Sequence, residues 1–218
     1  MPRQLLDQEL GTLFRDMLAM GALVDRAIFK AGEALVNRDM ALAEEVVKDD
    51  TAVNEARWRL EEECYRLLAT QQPMATDLRT VGSVLSTVTD IERIGDHAAG
   101  IARIVLRMTD RPALEAASLI PQMFQKCRED LRLALEAFYR RDERTARWVC
   151  AEDDQIDALY KRVFNELLLV MMRDPASIDQ ATYLVWVAHK LERIHDRVTN
   201  IGRRAVFMIT GQMADLSA

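Results

Sequence analysis

Four carboxylates in two matching pairs are the residues of this chain best suited to chemistry. Asp90-Ile91-Glu92-Arg93-Ile94-Gly95-Asp96-His97 returns near the C-terminus as Leu191-Glu192-Arg193-Ile194-His195-Asp196-Arg197. Glu-Arg-Ile-x-Asp therefore occurs twice, a hundred positions apart. Glu92 and Asp96, like Glu192 and Asp196, stand about one helical turn apart. A second oxygen pair with the same spacing accompanies each: Asp50 and Asn54 in the first half, Asp153 and Asp157 in the second. If the helices bearing the two pairs are neighbours, four oxygen side chains converge in a groove of each half. Such a set suits hard or borderline cations: Fe, Zn, Mg or Mn.

An acidic pair on a helix is ordinarily a solvated face. Three features favour a cation site here. The spacing recurs in both halves. Like charges four apart cost a few tenths of a kcal/mol, and rescue within the helix is thin: Glu92 has Val88, Thr89, Gly95 and Asp96 at its neighbouring positions, and Asp96 has only Arg93. The small residues Gly95, Ala99 and Gly100 clear space beside the carboxylates.

Glu192-x-x-His195 has the spacing of di-iron carboxylate bundles. The first half has Gly95 at the equivalent position, and Glu192 is expected to face away from its apolar seam. A metal-dependent bundle enzyme or ferritin-like protein is thus the alternative reading. His97 and His189 read as helix-surface residues. Arg79, Arg93, Arg103, Arg193, Arg203 and Arg204 flank the motifs and read singly as exposed helix charges. The sequence shows no nucleophile–base pairing, Gly-rich phosphate loop or strand-to-helix elbow, so the expectation is a protein without catalytic residues.

The elements that must position these groups are helices. Ile91, Ile94, Ala98, Ile101, Val105 and Met108, matched by Leu191, Ile194, Val198, Ile201, Ala205 and Met208, form one-sided stripes. Glu92, Asp96, Glu192 and Asp196 are expected to point away from them, toward solvent. The pattern predicts six helices in two sets of three. The first spans about 5–35, with Leu13, Met17, Met20 and Val24 on one face. Asn37-Arg38-Asp39 is a turn and cap, and the second helix ends at Thr70-Gln71-Gln72-Pro73. The third spans about 74–108. The fourth covers about 121–140, after a lapse around 109–118. The fifth carries Ile156, Leu159, Val163, Leu167 and Val170, and the sixth spans about 176–209 after Asp174-Pro175. The two sets match at an offset of 103, slipping to 100 at the Pro73 and Pro175 turns. The expected fold class is all-α: a duplicated three-helix unit with domains at 1–110 and 111–218, side by side or end to end, or else merged into one six-helix bundle.

Half the 218 residues are hydrophobic, which is enough for a core. The net charge of −6 argues against a nucleic-acid partner. No apolar run approaches the ~18 residues of a membrane span, and no signal peptide is legible, so the expected location is cytoplasmic. Cys64, Cys127 and Cys150 align with apolar positions of the other half and read as reduced core thiols.

The chain resembles the PhoU family of phosphate-uptake regulators. The resemblance rests on Gln72-Pro73-x-Ala75-x-Asp77-Leu78-Arg79, on the two Glu-Arg-Ile-x-Asp copies and on Asp50-x-x-Val53-Asn54. It implies two pseudo-symmetric three-helix bundles whose acidic motifs bind metal, in some members as multinuclear iron or zinc clusters. It also implies a non-enzymatic, dimeric negative regulator. Such a regulator couples the ATPase side of a phosphate ABC transporter to a sensor histidine kinase and reaches the membrane only through the transporter. By that resemblance Glu92, Asp96, Glu192 and Asp196 match the acidic motif, and Asp50/Asn54 and Asp153/Asp157 the companion spacing. His195 in place of Gly, Lys190 in place of Asp90 and the neutral Asn54 depart from symmetry, so the two sites are expected to differ.

Overall fold

The computed structural model describes residues 2–108, 114 and 118–212. Six helical rods account for nearly all of them: α1 (Pro2–Asn37), α2 (Met40–Gln71), α3 (Thr76–Val105), α4 (Ile120–Arg140), a fifth rod divided into α5 (Glu143–Ala151) and α6 (Asp153–Arg173), and α7 (Ile178–Thr210). No strand occurs among the described residues. The expected domain boundary between 110 and 111 lies outside them.

The turns repeat as the sequence does. Asp39 caps α2 by accepting the Leu42 amide at 2.9 Å, and Asp142 caps α5 by accepting the Thr145 amide at 3.1 Å. The residue before each cap is a left-handed arginine, Arg38 at φ 54° and Arg141 at φ 55°. This geometry costs about 1–2 kcal/mol in a residue with a Cβ, and it recurs because it reverses the chain between the first two rods of each half. The next turns differ. Gln72 and Ala75 both take positive φ before α3, whereas Asp174 caps a short 3-10 turn, Pro175–Ser177, before α7.

The expected seams are buried. Leu191, Ile194, Val198, Ile201, Ala205 and Met208 of α7 are fully inaccessible, as are Ile91, Ile94, Ala98 and Ile101 of α3. Each large aliphatic side chain so buried contributes about 1.5–3 kcal/mol. One continuous hydrophobic cluster runs through both triplets. The triplets lie side by side, joined by α3 against α7 and α1 against α4. The second contact carries the signature of a pseudo-two-fold. Asp25 of α1 takes a forked hydrogen bond from Arg128 of α4, at 2.9 and 3.2 Å, and these residues are equivalent under the 103-residue offset. The three cysteines are free and buried. Burial pushes Cys64 up to about 12 and Cys150 up to about 11, so neither is a nucleophile.

The fifth rod breaks at Glu152, where α2 continues unbroken through Asp49 and Asp50. Asp153 and Asp154 then open α6, a position where the helix dipole favours negative charge. No described helix is long and apolar enough to cross a membrane.

Candidate metal centres

In the first half, α2 supplies Asp50 and Asn54, and α3 supplies Glu92 and Asp96. The expectation that Glu92 faces solvent is wrong: it is 6 % exposed. The α3 rod packs against α1, α2 and α7, so little of its circumference is free. The cation that the α3 sequence lacks comes from α2. Arg57 Nη1 donates to Glu92 Oε1 at 2.8 Å while its Nε holds Glu61 at 2.8 Å. Arg93 reaches Asp96 at 3.1 Å, as its spacing implies. Arg103 stands 4.0 Å from Asp50. Asn54 donates its amide to the Asp50 backbone carbonyl at 3.1 Å, which leaves its side-chain oxygen to face elsewhere. Asp50 sits above the usual carboxylate range, chiefly because it is desolvated, and Asp96 and Glu92 repel its charge.

In the second half, α6 supplies Asp153 and Asp157, and α7 supplies Glu192 and Asp196. These four are partly buried rather than outward. Arg193 pairs with Asp196 at 2.7 Å, and His189 lies 3.2 Å from Glu192 Oε2. Desolvation raises Glu192, and Asp196 and Asp157 add to the effect. Asp196 is raised chiefly by desolvation, with Asp153 and Asp157 as repelling neighbours. The candidate ligands of each half are therefore electrostatic neighbours.

Behind the second site lies a buried charged network that the sequence reading did not find. His195 is fully inaccessible. Its Nε2 meets Asp130 Oδ2 at 2.8 Å and its Nδ1 meets Asp153 Oδ1 at 3.1 Å. Thr199 donates to the same Asp153 oxygen at 3.1 Å. Lys126 bridges Asp130 at 3.0 Å and Glu152 at 2.5 Å. Burial opposes charging of His195, but the two carboxylates outweigh it and lift its pKa. The His195 hydrogen bond in turn holds Asp153 below its ordinary range. The signal for Asp130 was present: it stands in the α4 seam between Cys127, Leu131 and Ala134, where an acid needs partners.

This arrangement weighs against the di-iron alternative. Both His195 nitrogens face carboxylates, so neither is directed at a metal beside Glu192. His97 is also corrected, from surface to half-buried at the α3–α7 contact. Burial there, with Lys190, Arg197 and Arg193 nearby, lowers it to about 4.

A cation fits these donors on one observation in particular. Glu92 Oε2 and Glu192 Oε2, equivalent atoms of the two halves, are both buried without a hydrogen-bond partner. Arg93 and His189 approach them at 3.5 and 3.2 Å, but outside hydrogen-bonding geometry. A buried, unbonded carboxylate oxygen beside other carboxylates is costly unless a cation serves it. Among the described residues, no three His, Cys, Asp or Glu side chains are gathered as a ready-made metal site. Coordination requires these side chains to turn away from Arg57 and Arg93.

The comparisons with known proteins agree with the duplication. The PhoU domain model matches twice, over residues 17–105 and 120–205. A phosphate-specific transport system accessory protein PhoU homolog from Clostridium acetobutylicum is 36 % identical over 218 residues, covering 100 % of both chains. The crystal structure of PhoU from Pseudomonas aeruginosa superposes with a TM-score of 0.90 at 33 % identity, over 94 % of this chain and 99 % of that one. That of the phosphate transport system regulatory protein PhoU from Streptococcus pneumoniae gives 0.89 at 35 % identity, over 96 % and 99 %. Sequence, duplication and fold agree along the whole length: the chain belongs to the PhoU family.

Proposed function

We propose that this protein is a metal-binding adaptor that restrains phosphate uptake and the phosphate-starvation response. It acts in the cytoplasm as a homodimer, between the ATPase subunit of a phosphate ABC transporter and a sensor histidine kinase, and it catalyses no reaction. The observation that carries this reading is family membership from end to end, among relatives named as accessory or regulatory proteins of phosphate transport.

Asp50, Glu92 and Asp96, with the neutral oxygen of Asn54, would hold a cation in the first half. Asp153, Asp157, Glu192 and Asp196 would do so in the second. All are oxygen donors, which leaves Fe, Zn, Mg and Mn open. A bound ion supplies positive charge to mutually repelling carboxylates and ties α2 to α3, or α6 to α7. Exposed side chains on the outer rods support a docking role. Trp58 and Tyr65 on α2 are 64 % and 61 % exposed, and Met172 on α6 is 73 % exposed; large apolar groups left in water mark interaction surfaces.

The test is elemental mass spectrometry on untagged protein beside Glu92→Ala/Asp96→Ala, followed by binding to the purified ATPase and kinase with and without chelator. Stoichiometric metal that falls in the variant, and partner binding that weakens on chelation, are expected. Metal-free parent protein, or partner binding indifferent to chelation, would overturn the metal-dependent part.

A further inference from the structure

The two ends of the α3–α7 contact are related by the same pseudo-symmetry but differ in charge at one pair of equivalent positions, Asp90 and Lys190. At one end, α3 inserts Asp90 against α7. Desolvation raises its carboxyl above the usual range, against a hydrogen bond from Asn200, Arg197 at 3.5 Å and Arg204 as a further attractive neighbour. That end supplies its own carboxylate to the surrounding arginines. At the other end the equivalent of Asp90 is Lys190, and the equivalent of Asn200 is Gly100. Lys190 lies across the α3 backbone at Gly100, so that a Cβ on Gly100 would stand 2.6 Å from its Nζ.

Lys190 does not sit there alone. A depression of about 280 Å³ is lined by Gly100, Arg103 and Ile104 from α3, by Arg107 from the turn just after it, and by Trp186 and Lys190 from α7. Trp186 and Lys190 are four residues apart and share a face of α7, and the turn after α3 brings Arg107 to the same depression as Arg103. Among the described residues, no carboxylate lies within ion-pair distance of Lys190 or Arg107, and Arg103 has only Asp50, at 4.0 Å. Three cations thus gather in a chain whose net charge is −6. Among the described residues, the carboxylate that one end supplies internally has no counterpart at the other.

We propose that this depression binds a small phosphorylated molecule with a planar ring, of the nucleoside phosphate class. Guanidinium groups match phosphate oxygens in a fork, and a lysine adds a point charge. The indole of Trp186, 47 % exposed, offers a face on which a ring stacks. The volume falls just short of small-molecule sites, about 300–1,000 Å³, and exceeds what a bare ion needs, so a phosphate group fills the depression while the ring lies on the exposed indole.

The test is calorimetric titration of the full chain in chelator, so that its outcome is independent of any metal, with ADP, inorganic phosphate and adenosine as probes. Saturable ADP binding is expected, with weaker phosphate binding and none for adenosine. Lys190→Ala and Arg107→Ala should each weaken ADP by about tenfold or more, the size of a charge-assisted hydrogen bond. Gly100→Ala should weaken it too, because the added methyl displaces the ammonium. Trp186→Ala should weaken ADP and spare phosphate. Circular dichroism melts identify variants that fail to fold. ADP binding that is absent, or untouched by these substitutions, overturns the proposal. So does equal affinity for phosphate and ADP with Trp186→Ala silent. Binding of anionic phospholipid vesicles, lost in the same variants without ADP binding, overturns it in favour of a lipid surface.

Discussion

The two acidic sites share their ligand positions and differ in what stands behind them. Asp153 is backed by His195, Thr199, Asp130 and Lys126. Under the repeat, the first half has Gly95, Ala99, Ala27 and Leu23 at those positions, and Asp50 rests against small apolar groups. One aspartate is therefore held in place and favoured as an anion, while its twin is desolvated and repelled. A duplicated fold can thus hold one aspartate preorganised as an anion and its twin in a setting that resists charge.

The largest expected effect comes from breaking the backing network. Asp130→Ala leaves His195 and Lys126 without their shared carboxylate, and losing one partner of a buried pair costs about 3–5 kcal/mol. Replacing the set together, as Lys126→Leu/Asp130→Leu/His195→Leu, gives the second half an apolar backing as the first half has and should recover part of that loss, since a packed apolar set often equals a buried charged one, while Glu152 and Asp153 still lose their partners. Urea unfolding of the parent and both variants measures the difference. A triple variant no more stable than Asp130→Ala would show that the network is irreplaceable rather than an alternative to the first half's apolar packing.

The same pair of proteins should differ with pH. The folded pKa of His195 is raised, so its contribution is fully present below the unfolded value, about 6.5, and is lost as pH rises through the folded value. Asp130 and Asp153 are lowered in the fold. Their contribution is present above about 3.9 and is lost as pH falls through their folded values. The stability advantage of the parent over the triple variant should therefore peak between about 4 and 6.5 and decline on either side. Unfolding curves across that range, with a flat difference as the contrary result, decide it.

Much of this comparison was legible in the sequence, and the reason for the remainder is physical. Helical periodicity and repeat spacing identified the rods, the cap at Asp39, the seams and the thiols. The candidate ligand positions are equally plain, because spacing of four fixes a helix face. Periodicity fails where it is blind to neighbours. It assigned Glu92 to solvent because a single helix has a free side, whereas α3 is enclosed by three others. It passed over Asp130 because an isolated acid in a seam gives no hint of the histidine 65 residues away that satisfies it.

Equivalent substitutions at the two aspartates should have opposite signs. Asp153→Asn removes a carboxylate that His195 and Thr199 stabilise, and should lower stability by about 1–2 kcal/mol, discounted because Asp153 is 35 % exposed. Asp50→Asn removes a charge whose folded pKa is raised. That charge is a liability above the unfolded value, so the variant should be more stable at neutral pH by up to about 1 kcal/mol. Thermal melts in chelator test both, and shifts of the same sign would remove the distinction between the sites. If the proposed metal binds, its addition should reverse the Asp50→Asn gain, since a cation removes the repulsion that made the charge costly.

The smallest effect concerns the space that separates the two backings. A Cβ at Gly95 would meet Val53 Cγ1 at 3.1 Å, with Val24 Cγ2 and Asp50 Oδ1 each at 3.6 Å. Val53 and Val24 are buried and β-branched, so they have little rotamer freedom with which to give way. Gly95→Ala gains about 1 kcal/mol of helix propensity against about 1–3 kcal/mol of overpacking, and the net should be a loss of about 1 kcal/mol. The larger imidazole of Gly95→His has still less room, so the first half cannot acquire the second half's network by a single change at this position. A Gly95→Ala melt at or above the parent's would show that the valines yield. The glycine would then mark room kept beside Asp50 for a ligand rather than a packing limit.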